Sequence, residues 1–448
     1  MRDLKIYATK KYLFYLYYAV LLIIYIIRQN AMAEPPMVQR VMYMAAVLMP
    51  PIFVKEISYT AIVTMFLSLT LCGANFSYMP YTLSLYVIIT IVLIPFLRVG
   101  KRKRPQIPPF LITFTLFIFI IDLLSGTMGG YKDSNIFEQN FLCLLLLILF
   151  IVVIGDDIEK NLEWFPICYA ASTIVLSILF LTIGQRMFMQ AAGAGGERVM
   201  WTDPNYLGMA IAMGTIFGLM KLFSKEWKET ALFEKFVYLT AIIISIPVLL
   251  LNASRGSLLS IVVAFVILLG ASKIKINYKI ILVFLAIVGI YYLYINEYLE
   301  LLIARIENDD GTGSGRSSIW TNKLNAYYDG NIFQQIFGMG KVPGGYAGGT
   351  LVGFHNDYLG YLVDYGIIGG GFLLYLLCYP LLLTPKKSKS RSEVLVVIVY
   401  LAICFLTLEP FLTGILSYYV FYLYALLLAQ NERNKLLIKP LNTNERKN

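Results

Sequence analysis

Long apolar runs, separated by short polar connections, follow one another along most of the chain. Each run covers about 15–25 positions, the length of an α-helix that crosses the hydrocarbon core of a bilayer. Helices are expected because a lipid-embedded backbone must satisfy its own hydrogen bonds. The pattern predicts an all-α polytopic integral membrane protein with fourteen spans, at 11–29, 39–54, 58–73, 81–98, 110–127, 138–154, 165–184, 204–222, 236–251, 254–271, 279–296, 357–383, 393–410 and 414–430.

The second and third of these runs are the weakest. Pro50 and Pro51 interrupt the second run, and only Lys55 and Glu56 clearly separate it from the third. Proline removes a backbone donor and disturbs the interior of a helix. Twelve or thirteen spans are therefore alternatives to fourteen.

One long connection divides the chain into three regions. Residues 297–356 form a predicted large external loop, which follows an N-terminal transmembrane bundle at 1–296. The remaining C-terminal spans and a basic cytoplasmic tail occupy 357–448, and a smaller external loop is predicted at 185–205. Loops as long as the first are usually functional or disordered.

The long loop carries too many apolar residues for plain disorder. A short helix that starts near Ser317, with the serine hydroxyl as its cap, would place Trp320 and Leu324 on one face. We expect this helix to lie across the outer mouth of the bundle.

Composition and charge agree with a membrane protein and orient it. Hydrophobic residues make up 58% of the 448 positions and charged residues 14%, so a soluble domain could not cover the apolar surface. The net charge of +10 could indicate nucleic-acid binding, but 27 of the 37 Lys and Arg residues fall in alternate loops on one side of the predicted topology. This bias is the positive-inside pattern, and it predicts cytoplasmic termini and no nucleic-acid partner.

Ten Lys and Arg residues escape this bias, and three arginines among them lie beside glycine or proline in informative contexts. Arg198 precedes WTDPNYLG, Arg255 lies in NASRGS within a tight hairpin, and Arg316 opens RSSIW. The planar guanidinium donates two parallel hydrogen bonds and keeps its charge, which suits a diphosphate. Each arginine could instead reach a lipid headgroup, an alternative that weighs most for Arg316.

The chain's one histidine, His355, precedes a predicted span. The partial positive charge of a helix start favours the neutral imidazole, which can accept a proton from a hydroxyl group. His355 could instead be an interfacial residue that anchors the helix. Asp357 and Asp364 are poorly placed to orient it, so Glu409 and Asp122 of other spans are the candidate partners.

Other chemistries have little support in the sequence. One histidine and five scattered cysteines indicate no metal site. The glycine-rich stretches GTGSGRS and GGYAGG lack the Lys-Ser/Thr ending of a phosphate-binding P-loop. The glycines at 366–371 are expected to permit close helix packing.

Four segments occur in the order RVMWTDPNYLG, NASRGS, GRSSIW…FGMGK and FHNDYLGYLVDYGIIGG, with the long loop before the histidine. In this order they resemble the O-antigen ligase/polymerase superfamily over about residues 165–385. The resemblance implies a bundle of the GT-C type, with 12–14 spans and short helices on the external loop. It also implies a glycosyltransferase without metal or cofactor, whose donor is a glycan on undecaprenyl diphosphate and whose acceptor is a sugar hydroxyl.

The resemblance further implies roles for particular residues. Arg198 and Arg255 would bind the diphosphate of the donor. His355 would contact the acceptor hydroxyl, as general base or by orienting it. Support of the loop or the glycan is expected from four residues: Arg316, Asn205, Trp320 and Asn356.

These features lead to three functional hypotheses. The first is a polymerase that joins lipid-linked repeat units into capsule or O-antigen on the outer face of the cytoplasmic (inner) membrane, with a chain-length regulator and a flippase as expected partners. The second is a ligase that transfers finished glycan to another acceptor. The third is a flippase, but transporters are commonly built from two similar halves with charges at mid-membrane. Here the charges gather at the outer rim and one loop dominates.

Overall fold

The computed structural model describes a large part of the chain, which divides into two compact units. The first unit comprises Met1–Thr90 and Glu159–Asp309, and the second comprises Ile91–Ile158 and Asp310–Asn448. Within them, the described residues are 2–30, 36–54, 57–69, 107–128, 140–155, 158–184, 204–252, 254–297, 299–300, 303, 316–340, 346–347, 350–351, 355–386, 388, 390–408, 423–428 and 430–431.

Helices account for nearly all of the described structure. They are α1 (Arg2–Asn30), α2 (Met37–Phe53), α3 (Tyr59–Leu69), α4 (Pro109–Met128), α5 (Asn140–Gly155), α6 (Ile158–Leu179), α7 (Pro204–Phe223), α8 (Leu232–Asn252), α9 (Arg255–Ala271), α10 (Ile276–Ile295), α11 (Arg316–Asp329), α12 (Ile332–Phe337), α13 (Asp357–Leu383) and α14 (Arg391–Thr407). A π-helical turn (Phe180–Gly184) follows α6, a 3-10 turn (Lys225–Lys228) follows α7, and β1 (Tyr346–Ala347) pairs antiparallel with β2 (Thr350–Leu351).

By length and composition alone, six of the described helices could cross a membrane, and three shorter apolar helices accompany them. The prediction of an all-α polytopic membrane protein is therefore confirmed. Pro50 and Pro51 lie in the last turn of α2, so the second and third apolar runs form separate helices. The total number of spans stays a prediction, because predicted spans such as 81–98 lie outside the described residues.

In the first unit, α7 packs closely against α6, α8 and α9. Small residues permit this approach, since a Cβ on Gly214 would overlap the Tyr169 carbonyl and the Thr173 side chain of α6. By contrast, α10 has no buried residue. A helix that is apolar on every side and exposed along its length is suited to contact with lipid.

A charged cluster joins three helices of the first unit. The Lys11 ammonium of α1 donates to the Glu163 carboxylate of α6 (2.5 Å) and to the Glu234 carboxylate of α8 (2.9 Å). The Tyr15 hydroxyl also donates to Glu234 (2.9 Å). The contact brings the N-terminal ends of α1, α6 and α8 to one side, which is the relative orientation that the charge bias predicts.

We expect Lys11→Met to lower the stability of the first unit by about 1–2 kcal/mol, mainly because the mostly buried Glu234 carboxylate loses its cation. Glu163 is exposed, so solvent screens the loss of its ion pair and that loss adds little. The free energy of unfolding in detergent measures the effect. Adding Glu163→Gln and Glu234→Gln to the Lys11→Met protein should restore most of the lost stability, since a neutral amide needs no cation. Lys228→Met, at an exposed position, serves as the control. Equal stability of the Lys11 and Lys228 variants would contradict the prediction.

In the second unit, α13 is bent rather than straight. Gly366 has φ 68° and ψ −169°, a backbone conformation that is essentially restricted to glycine, so the helical regions 357–365 and 367–383 meet there. The helix has the bounds predicted for this span, 357–383, and the bend lies within it. The first glycine of the run at 366–371 forms the bend, which helical periodicity could not reveal.

Candidate functional site

Five of the described candidate residues lie at the start of a helix. Arg255 opens α9, Arg316 opens α11, Asn205 lies in the first turn of α7, and His355 and Asn356 directly precede α13. Helix starts present free amide groups and a partial positive charge. A basic side chain there weakens an isolated helix, whereas an anion bound beside it would be favoured by both charges.

In the first unit, two of the sequence motifs are in contact. A Cβ on Gly208, in NYLG, would lie 2.6 Å from the Ser254 Cβ and 2.6 Å from the Ser257 hydroxyl, both in NASRGS. Asn205 lies one helical turn before Gly208. The structure thus brings the start of α7 against the start of α9. Sequence reasoning gave no reason to pair these motifs, because the missing side chain of a glycine is informative only once its neighbour is known.

The tight hairpin predicted around Arg255 is confirmed. α8 ends at Asn252 and α9 begins at Arg255, with two residues between them. Ser254 is buried, and its hydroxyl lies 2.8 Å from that of Ser257. Arg255 itself is partly exposed and is the first residue of α9 after this hairpin. Arg198 lies outside the described residues.

In the second unit, His355 stands immediately before the helix start, as predicted. Its φ is 51°, which is uncommon for a residue other than glycine and is more often tolerated by His, Asn and Asp. The side-chain oxygen of Asn356 accepts a hydrogen bond from the Leu359 amide (3.1 Å) and so caps α13. This contact gives Asn356 a structural role, and its predicted contact with glycan stays a prediction.

Buried carboxylates lie near this helix start in sequence and on a neighbouring helix. Asp357 and Asp364 of α13 are buried, as is Asp122 of α4. The Asp122 carboxylate accepts a hydrogen bond from the Tyr365 hydroxyl (2.8 Å), so the structure joins Asp122 to α13 through Tyr365. Its predicted role in orienting His355 stays a prediction. Glu409, the other predicted partner, lies outside the described residues.

The long connection at 297–356 carries two short helices, as predicted, but the predicted cap of the first is wrong. α11 begins at Arg316, so Ser317 lies within the first turn. Asn331 caps α12 instead, because its side chain accepts from the Gln334 amide (3.0 Å) while the Gln334 side chain accepts from the Asn331 amide (2.9 Å). The expected position of α11 across the outer mouth of the bundle stays a prediction.

α11 packs on α13 through a small apolar cluster. Tyr327 and Val363 are buried, and Met339, Leu359 and Leu362 pack against them. The Tyr327 hydroxyl donates to the Gln335 carbonyl (2.8 Å), and burial, with a smaller contribution from Tyr328, raises the pKa of that hydroxyl. Tyr327 therefore stays protonated, and a hydrogen-bond donor, at neutral pH.

On the same helix, Trp320 is partly buried and Lys323 is only 4% exposed. Sequence analysis missed Lys323, since its burial depends on the packing of α11. Among the described residues, no three His, Cys, Asp or Glu side chains cluster closely enough to hold a metal ion. Independence from metal stays a prediction.

Comparison with known proteins gives one family match. Residues 240–376 match the sequence model of a family described as O-Antigen ligase, which covers under a third of the 448-residue chain. The matched segment contains Arg255, Arg316, Trp320, His355 and Asn356. It supports the resemblance to the O-antigen ligase/polymerase superfamily. No curated protein matches the chain.

Proposed function

Starting from the O-Antigen ligase match over residues 240–376, we propose that this multi-pass membrane protein is a polysaccharide polymerase. It joins oligosaccharide repeat units carried on undecaprenyl diphosphate, on the outer face of the cytoplasmic membrane. The observation that carries the proposal is that one family match contains both Arg255, which opens α9, and His355, which precedes α13. Transfer of a sugar from a diphosphate needs a cationic site for the leaving group and a group that receives the acceptor's proton.

In the proposed reaction, the donor's diphosphate binds at the start of α9. The Arg255 guanidinium and the partial positive charge of the helix start would stabilise the charge that develops on the leaving group. Arg198 contributes a second guanidinium in this proposal. Fixed cationic donors of this kind can take the part that a divalent cation plays in other glycosyltransferases.

The acceptor hydroxyl contacts His355. Its oxygen attacks the anomeric carbon, the bond from that carbon to the diphosphate oxygen breaks, and the leaving diphosphate keeps the electron pair. The hydroxyl proton passes to the imidazole, or His355 orients the hydroxyl while water receives the proton. Trp320, Asn205 and Arg316 contact the glycan or support the loop. In a polymerase the acceptor is the sugar end of a second lipid-linked unit. The whole growing chain is therefore transferred to that unit in one step.

The decisive experiment supplies the purified protein with one defined undecaprenyl-diphosphate repeat unit. We expect a ladder of products that differ by one repeat unit, without added metal and in the presence of a chelator. A flippase would move the lipid across a vesicle bilayer and form no glycosidic bond. Absence of any product longer than one repeat unit, with active substrate, would contradict the polymerase proposal.

A ligase is the second candidate, because the matched family is described as O-Antigen ligase. A ligase would transfer a preformed glycan once, to an acceptor other than the lipid-linked repeat unit. The same assay separates the two, because a ligase supplied with the repeat unit alone makes no ladder. A chain-length regulator and a flippase would be partners of either enzyme in the cell.

A further inference from the structure

The two parts of α13 fold back on each other at Gly366. A Cβ on Gly370 would lie 3.8 Å from the Leu362 Cα, and one on Gly369 would lie 3.2 Å from the Tyr361 carbonyl oxygen. In a straight helix, residues eight apart are separated by about 12 Å. The region 357–365 therefore runs back alongside the region that follows the bend.

An aromatic contact gives independent support for the fold-back. The ring of Phe114, on α4, lies 5.0 Å from that of Phe372 and 6.0 Å from that of Tyr361. These two α13 residues are eleven positions apart, which corresponds to about 16 Å along a straight helix. One phenylalanine can reach both rings because the bend brings them to a similar level.

The bend is held by the external loop. The Met339 amide donates to the Val363 carbonyl (3.1 Å), and the Gly340 amide donates to the Asp364 carbonyl (3.0 Å). Carbonyls at the end of a helical segment lack intrahelical partners, so these two loop amides act as a cap supplied from elsewhere in the chain. We refer to residues 336–340 as the clasp.

The clasp requires backbone to approach backbone, with no space for side chains at the contact. A Cβ on Gly366 would overlap the Ile336 carbonyl and lie 2.5 Å from the Gly338 nitrogen. A Cβ on Gly338 would overlap the Asp364 carbonyl and lie 2.5 Å from the Tyr365 Cα. Gly338 also has a positive φ of 98°, so both sides of the contact depend on glycine.

The fold-back determines where His355 lies within its unit. In a straight α13, His355 would stand about 16 Å beyond Gly366 along the helix axis. Instead, the start of α13 contacts another apolar helix, since the Tyr358 hydroxyl donates to the Ala402 carbonyl of α14 (3.2 Å). The Tyr358 ring also lies 6.1 Å from that of Phe405 on α14. His355 is thereby held beside the helices of the second unit.

We propose that the clasp and Gly366 are positioning elements for the acceptor step: by holding the fold-back of α13, they set the location of His355. This inference rests on the function proposed above, because it assigns the clasp to that reaction. The clasp touches no reacting atom. Its part is to connect the external loop to the helix that carries the histidine.

The fold-back is tested first, without any assay of activity. In a chain whose five cysteines are replaced by Ala, we expect Leu362→Cys with Gly370→Cys to form an intramolecular disulfide on mild oxidation, seen as loss of maleimide labelling. A Cβ on Gly370 lies 4.0 Å from the Leu362 Cβ, within the disulfide range of about 3.5–4.5 Å. The control pair, Phe284→Cys with Tyr292→Cys, has the same spacing in α10 and should stay reduced.

The positioning role is tested with Gly366→Ala and Gly338→Ala in the ladder assay. We expect each to lower the rate of chain extension by about 100-fold while the KM for the donor stays within about twofold, because Arg255 belongs to the other unit. The Gly366 variant should also lower the yield of the 362–370 disulfide. The matched control is Gly371→Ala on the same helix, where a Cβ would meet nothing within 4 Å and extension should be unchanged.

Two results would overturn the proposal. The first is a 362–370 disulfide yield no higher than that of the α10 pair. The second is a Gly366→Ala protein that loses the disulfide and still extends glycan at the wild-type rate. If the wild-type protein transfers no glycan, the proposed function fails and the role of the clasp fails with it, whereas the disulfide yield still reports the bend by itself.

Discussion

Replacing His355 by Asn is expected to slow glycan chain extension by about 10²–10⁴-fold, with single repeat units persisting and the protein still folded in the membrane. Asn tolerates the positive φ of 51° at this position, so the backbone before α13 should keep its conformation. The amide can still form a hydrogen bond with a hydroxyl, but it cannot receive the proton at neutral pH. The measurement is the length distribution of products from a defined lipid-linked repeat unit.

A second substitution separates two roles of the histidine. His355→Ala removes both the base and the hydrogen bond, and it costs the backbone about 1–2 kcal/mol more in the left-handed region. Equal loss of extension in the Asn and Ala proteins would indicate a general base. Substantial extension in the Asn protein alone would indicate that His355 orients the hydroxyl. Wild-type chain lengths in both variants would remove His355 from the reaction.

Replacing Arg255 by Ala is expected to raise the KM for the donor by about 10- to 100-fold, which corresponds to the loss of a charge-assisted contact with the diphosphate. The KM of the Arg255→Lys protein for the donor should lie between those of the wild-type and Arg255→Ala proteins. The lysine ammonium keeps the charge but lacks the paired hydrogen-bond donors of the guanidinium. Removing a cation from the first turn of α9 relieves an unfavourable charge at the helix start of about 0.3–1 kcal/mol.

The matched control is Arg28→Ala, an exposed arginine in the last turn of α1 that the predicted topology places at the same side of the membrane. An arginine that only reaches lipid headgroups should leave the donor's KM unchanged. If Arg255→Ala behaves like Arg28→Ala, then Arg255 also serves as a lipid contact and the donor's diphosphate binds elsewhere. Thermal unfolding measured on the same samples separates a loss of binding from a loss of folding.

Some elements of the site could be predicted because their signals are local. The apolar runs locate the helices, and the short polar gap between α8 and α9 places Arg255 in a tight turn. The start of α11 was predicted to within one residue, near Ser317, although the cap assigned to that serine was wrong. The position of His355 before a helix follows from the switch between a polar loop and an apolar run.

Contacts between distant segments could not be predicted in this way. The cluster of Lys11, Glu163 and Glu234 joins residues more than 150 positions apart, and the pairing of Gly208 with Ser254 joins two motifs that looked independent. Burial of Lys323 depends on which face α11 turns towards α13. Each of these features depends on packing between elements, about which helical periodicity carries no information.

Hydropathy and charge act position by position, so the sequence alone predicts an all-α polytopic membrane protein with His355 directly before one helix and Arg316 near the start of another. The fold-back of α13 at Gly366, and the cap that the loop amides of Met339 and Gly340 form on its first part, depend instead on tertiary contacts. A glycine in an apolar run is compatible with a straight helix or with a bend. Which of the two forms depends on the backbone of Ile336 and Gly338, which approaches Gly366 from about 30 residues away in the sequence.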